Sequence, residues 1–149
     1  MKAFVDTSAL YALMMPEDTH HQAAQACFES LQVADTMLVS TNYILLECTT
    51  LLQRRQGFEA ARAFLIQAMK LLDIVWIEKP QHEHAVALWS KSGRRALSLV
   101  DCVSFWVMRE QGLRHAVAFD THFREAGFET LPRADRVAER RGVYRTGRR

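Results

Sequence analysis

Short apolar runs alternate with longer helical patterns along the whole chain. Ala3-Phe4-Val5 is the first run, and it stops abruptly at Asp6-Thr7-Ser8. A strand over residues 2–5 that is apolar at every position reads as covered on both faces. Thr7 or Ser8 can cap a first helix running to about Met15. Pro16-Glu17-Asp18 is a turn, and Thr19-His20-His21-Gln22 matches a capping box. Ala24, Cys27, Phe28 and Leu31 then recur at helical spacing. Met37 to Ser40 is a second strand, and Thr41 or Asn42 caps a third helix. The apolar stripe of that helix is Ile44, Cys48, Leu51 and Leu52, with Glu47 at its edge.

Gly57 marks a break, Ala60 to Leu72 a further helix and Asp73 to Ile77 a third strand. Pro80 suits the first position of a helix reaching about Arg95. Ser98 opens the next helix, which is apolar almost all round from Leu99 to Met108 and therefore reads as buried. Gly112 ends it. Ala116 to Phe119 is a fourth strand and Thr121 to Ala126 a short helix. A fifth strand follows near Phe128 to Leu131, and Pro132 closes the pattern. Strands alternating with helices predict an α/β fold with a mainly parallel sheet.

Composition adds bounds. A chain of 149 residues fits one domain, long enough for a core without staples. No apolar run approaches the ~18 residues of a membrane span. Asp6 interrupts what would be the core of a signal peptide. A cytoplasmic protein is expected, with no membrane partner. Cys27, Cys48 and Cys102 are widely spaced and lie in apolar helical patterns, as reduced core thiols do. Charge is uneven. Residues 1–132 hold 12 Lys/Arg and 15 Asp/Glu, a net −3, whereas residues 133–149 hold seven arginines and two acids, a net +5. The body is not a general nucleic-acid binder. The tail at 133–149 reads as a disordered basic segment able to contact phosphate.

Four acids stand out: Asp6, Glu47, Asp101 and Asp120. Taken singly, each has an ordinary explanation. Asp6 and Asp120 follow strands as helix caps do, Ser98-Leu-Val-Asp101 fits a capping box, and Glu47 fits a solvated helix position. Taken together they are harder to dismiss. Parallel sheets bind ligands beyond the carboxyl ends of their strands, where Asp6 and Asp120 both lie. Asp101 is the only charge in its apolar stretch, with no lysine or arginine within five residues. Lone buried carboxylates are costly unless paired or bound to metal, and hard oxygen donors suit Mg²⁺ or Mn²⁺. Signals for other chemistries are weak. His20-His21 and His82-Glu83-His84 lack zinc-site spacing, and there is no glycine-rich phosphate loop or nucleophile elbow. Trp76, Trp89 and Trp106 read as core or interface residues. Arg54-Arg55 and Arg94-Arg95 read as solvated faces that could line an RNA strand.

FVDTSAL at 4–10, LLECTTLLQRR around Glu47, LSLVDCVSF at 97–105, AFDTHF at 118–123 and GFETL at 127–131 together resemble the PIN domain. The resemblance is strongest to VapC-like ribonuclease toxins of toxin–antitoxin pairs, and it spans about residues 2–131. It implies a three-layer α/β/α fold over residues 1–132, with a five-stranded parallel sheet in the order 3-2-1-4-5. Asp6 and Asp120 would then face each other from neighbouring strands. It implies Asp6 and Asp101 as the main ligands of Mg²⁺ or Mn²⁺, with Asp120 and Glu47 binding the metal directly or through water. Thr7 or Ser8 would support a carboxylate or a water. Many members carry Ser or Thr where this chain has Ala118. The implied activity is metal-dependent hydrolysis of RNA by an activated water. A homodimer is also implied, together with a cognate antitoxin that reaches the acids with a basic side chain and binds operator DNA. The residues leave two alternatives open: a non-catalytic PIN-like protein that binds RNA or a partner, and a DNA-directed nuclease.

Overall fold

The computed structural model describes residues 1–133; residues 134–149, most of the basic tail at 133–149, lie outside the described part. In chain order the elements are β1 (Lys2–Val5), α1 (Thr7–Met14), α2 (His21–Val33), β2 (Met37–Thr41), α3 (Asn42–Gln56) and α4 (Phe58–Leu71). They continue with β3 (Asp73–Val75), α5 (Lys79–Ser92), α6 (Leu99–Glu110), β4 (His115–Val117), α7 (His122–Glu125) and β5 (Glu129–Leu131). The five strands form one parallel sheet in the order β3-β2-β1-β4-β5, as the family resemblance implies. Phe4 sits opposite Val39 on one side and Ala116 on the other, and Val5 opposite Val117.

Successive strand side chains point to opposite faces. Ala3, Phe4 and Val5 are nevertheless all fully buried, so β1 is covered above and below. It is the central strand, and the chain winds outward from it first through β2 and β3, then through β4 and β5. The boundary between β1 and β4 is therefore the point where strand order reverses, the place where open parallel sheets leave a crevice at their carboxyl ends. α6 buries Cys102, Val103, Phe105, Val107 and Met108, as its nearly continuous apolar character predicts. Phe123 of α7 is fully buried, 5.1 Å and edge-to-face from Phe105 and 6.1 Å from Phe4. That aromatic contact locks the short α7 against α6 and the central strand.

Several boundaries differ from the sequence expectation for identifiable reasons. The cap of α1 is Asp6, not Thr7 or Ser8, because its carboxylate accepts the Ser8 N–H at 3.1 Å. The capping box at Thr19 does not form. His20 is the cap residue of α2 without a side-chain bond, and Asp18 instead accepts the His20 N–H at 2.8 Å. Thr41 does cap α3, accepting the Ile44 N–H at 3.2 Å. β3 ends at Val75 because the Ile77 N–H leaves the ladder for Asn42 Oδ1 at 2.7 Å. α5 starts one residue before Pro80, behind a Glu78/Gln81 capping box, and stops at Ser92 where Gly93 turns left-handed at φ 58°. β4 ends at Val117, before the expected Phe119, because the Phe119 N–H turns to the Ser8 hydroxyl. Trp106 packs against the core, whereas Trp76 and Trp89 are exposed.

Candidate functional site

The ends of β1 and β4 are tied together residue by residue. The Asp6 N–H donates to Val117 O at 3.0 Å, which carries the ladder one residue beyond the end of β1. The Asp6 side chain then turns back over α1, where Oδ2 accepts the Ser8 N–H at 3.1 Å and the Ser8 hydroxyl at 2.6 Å. The same hydroxyl oxygen accepts the Phe119 N–H at 3.0 Å. Ser8 thus spans the two strand ends and leaves its neighbour Asp120 poised beside Asp6. Thr7 Oγ1 is buried and has no hydrogen-bond partner among the described residues.

Asp101 arrives from the other direction, at the start of α6. The Ser98 hydroxyl accepts the Asp101 N–H at 3.0 Å, and Asp101 Oδ2 accepts the Ser98 N–H at 3.2 Å, a reciprocal capping box. Asp101 is therefore both a cap and a member of the acid cluster. Asp120 Oδ1 accepts the His122 N–H at 3.1 Å, and the His122 ring places Nδ1 3.2 Å from Asp101 Oδ2. Ligand atoms of Asp101, Asp120 and His122 all lie within 4.8 Å of one another.

The electrostatics follow from burial and crowding. Burial first, then the charges of Asp120 and Asp101, push the Asp6 carboxyl up to about 7 despite two hydrogen bonds from Ser8. Burial and the Asp101 charge also raise Asp120, opposed by the His122 N–H and the nearby His122 ring. Buried carboxyls this close disfavour one another's charge unless a cation compensates. Among the described residues, no lysine or arginine forms an ion pair with Asp6, Asp101 or Asp120. Cys48 lies near enough to feel Asp6, and burial with the charges of Glu47 and Asp6 pushes its thiol up to about 12. It is a core thiol and not a nucleophile.

Of the four acids singled out in the sequence, the fold gathers Asp6, Asp101 and Asp120 into mutual electrostatic contact. Glu47 is half-buried on α3, next to Cys48, with no side-chain hydrogen bond or ion pair among the described residues. Of the two hydroxyls proposed as supports, Ser8 engages Asp6 and Thr7 does not. Sequence reasoning passed over His122. Its signal was present in AFDTHF, two residues beyond Asp120, but nothing in the pattern shows that the ring turns toward α6.

The PIN domain family matches residues 3–129 of the chain. The chain is 36% identical over 128 residues to the 23S rRNA-specific endonuclease VapC20 of Mycobacterium tuberculosis, spanning 84% of this chain and 94% of that protein. The crystal structure of M. tuberculosis VapC20, described as a sarcin–ricin-loop-cleaving toxin, superimposes with a TM-score of 0.73 at 34% identity, over 85% of this chain and 95% of that one. VapBC2 from Rickettsia felis, solved bound to a DNA fragment of its promoter, shares the fold at a TM-score of 0.65 and 12% identity, over 87% and 98% of the two chains.

Proposed function

The chain belongs to the PIN domain family, and from that premise we propose that it is a metal-dependent endoribonuclease of the VapC type. The observation that carries this reading is the meeting of three carboxylates at the reversal point of the sheet, with no lysine or arginine paired to them among the described residues. Their donor set fits a divalent ion. All three offer hard oxygens, and a cation would offset the burial and the repulsion from Asp120 and Asp101 that raise the Asp6 carboxyl to about 7. Asp6 and Asp101 are the main ligands in this reading, with Asp120 and Glu47 completing the set or orienting a water. When bound, Mg²⁺ or Mn²⁺ lowers the pKa of a water and offsets charge on the scissile phosphate.

The chain's own groups keep the donors in place. Ser8 fixes Asp6, the Ser98 N–H fixes Asp101, and the His122 N–H fixes Asp120, so each carboxylate has one oxygen engaged. Such preorganisation is what an electrostatic site requires. No protein nucleophile is needed, in keeping with a Cys48 thiol that stays protonated.

VapC20 is named for its action on 23S rRNA, and 36% identity over most of both chains makes that RNA the first substrate to test. A cognate antitoxin and a homodimer are the proposed partners, in the cytoplasm. Exposed apolar side chains on α4, among them Ile66, Met69 and Leu71, support a protein partner.

The test is to incubate the protein with ribosomal RNA and sequence the 5′ ends, with Asp101→Asn and excess EDTA in parallel. Discrete cleavage ends are expected with Mg²⁺ or Mn²⁺. The variant should lose at least about 100-fold in rate, since even groups that only support metal ligands cost 10–100-fold. Undiminished cutting in EDTA would remove the metal from the reaction. Equal cutting of single-stranded DNA would make the enzyme a general nuclease, and RNA binding without cleavage would make it a binding module.

A further inference from the structure

We propose that His122 is a nitrogen ligand of the metal centre, which biases the site toward Mn²⁺ over Mg²⁺. This inference rests on the reading of the carboxylates as a metal site. It starts from distance. Ligands adjacent on an octahedral ion at about 2.1 Å lie about 3 Å apart, and opposite ones about 4.2 Å. His122 Nδ1 lies 3.2 Å from Asp101 Oδ2, and the donor atoms of Asp101, Asp120 and His122 are all within 4.8 Å of one another. One ion can therefore meet all three with little movement.

The ring is also held in place. The side chain is 20% exposed, the backbone N–H of His122 donates to Asp120 Oδ1, and the next residue, Phe123, is fully buried against Phe105. The other five histidines have different partners. His20 stacks on Phe119, His21 bonds Ala12 O, His82 meets Tyr43, His84 stacks on Trp106 and His115 pairs with Glu129. Only His122 faces an acid of the cluster. An imidazole donor suits first-row transition metals, whereas Mg²⁺ favours oxygen and water.

The experiment is pulsed electron paramagnetic resonance on the full chain with Mn²⁺, in unlabelled protein and in protein carrying ¹⁵N-histidine. The expected result is a ¹⁴N modulation that becomes ¹⁵N on histidine labelling and is absent from His122→Gln. That variant should bind Mn²⁺ about ten-fold more weakly while its Mg²⁺ affinity changes by less than about three-fold. Circular dichroism checks its fold, and the labelling arm needs no substitution at all. Mn²⁺ bound in an Asp101-dependent way without nitrogen modulation would reduce His122 to a hydrogen-bond partner, overturning the inference and sparing the acid site. Mn²⁺ binding absent, or unchanged in Asp101→Asn, would overturn both.

Discussion

Ser8 and Thr7 are adjacent hydroxyls with opposite consequences. The Ser8 hydroxyl donates to Asp6 and accepts from the Phe119 N–H, so Ser8→Ala leaves a backbone donor and a carboxylate short of a partner. A loss of about 1–3 kcal/mol is expected in urea denaturation. Thr7→Val removes a buried hydroxyl that has no partner among the described residues, and should change stability by less than about 1 kcal/mol. Equal effects of the two would mean that Ser8 does not bridge the strands. Asp6 predicts a pH dependence. Its carboxyl is raised from 3.8 to about 7, so across that window the folded protein holds more protons than the unfolded chain. Metal-free stability should therefore fall as pH rises from about 4 to 7. In EDTA the melting temperature is expected to be higher at pH 5 than at pH 7.5, and saturating Mn²⁺ should stabilise most at pH 7.5 because ligands bind metal deprotonated. A melting temperature in EDTA that climbs with pH would contradict the burial of Asp6 and its crowding by Asp120 as the source of its raised pKa.

At the scale of elements, α6 carries two duties on one turn. From the residues alone, Ser98-Leu-Val-Asp101 was equally a capping box and a site motif; the structure makes it both. The box holds the carboxylate through Ser98 N–H while the same oxygen faces His122. Ser98→Ala removes the acceptor for the Asp101 N–H, and a cost of about 1 kcal/mol in urea denaturation is expected from the lost cap. No change in midpoint would show that the box contributes nothing to α6. Thr19 carries an equally good box signature and forms none: Asp18 accepts the His20 N–H, and the helix starts at His21 with His20 as its cap residue. Local patterns propose caps, and the backbone path decides which residue holds the cap position.

At the scale of the molecule, the sheet is complete within residues 2–131. Deleting residues 133–149 is expected to leave the circular dichroism spectrum intact. Global unfolding of the truncated protein would show that the tail is structural. The deletion also removes a net charge of +5 from a body of −3, so any loss of RNA affinity should shrink as salt rises. The alternation of strands and helices, the parallel sheet and the isolation of Asp101 in an apolar helix were all legible in the sequence, because periodicity and burial are local signals. Strand order 3-2-1-4-5 was legible only through resemblance to a family. What the tertiary structure alone decided is the assignment of partners: Ser8 bridging Asp6 to the Phe119 N–H, Asp120 crowding Asp6, and His122 turned onto Asp101. The Ser8–Phe119 bond spans 111 positions and the His122–Asp101 contact joins residue 122 to residue 101, so no short window of sequence contains both ends. They exist because β1 and β4 lie side by side and Phe123 pins α7 across them.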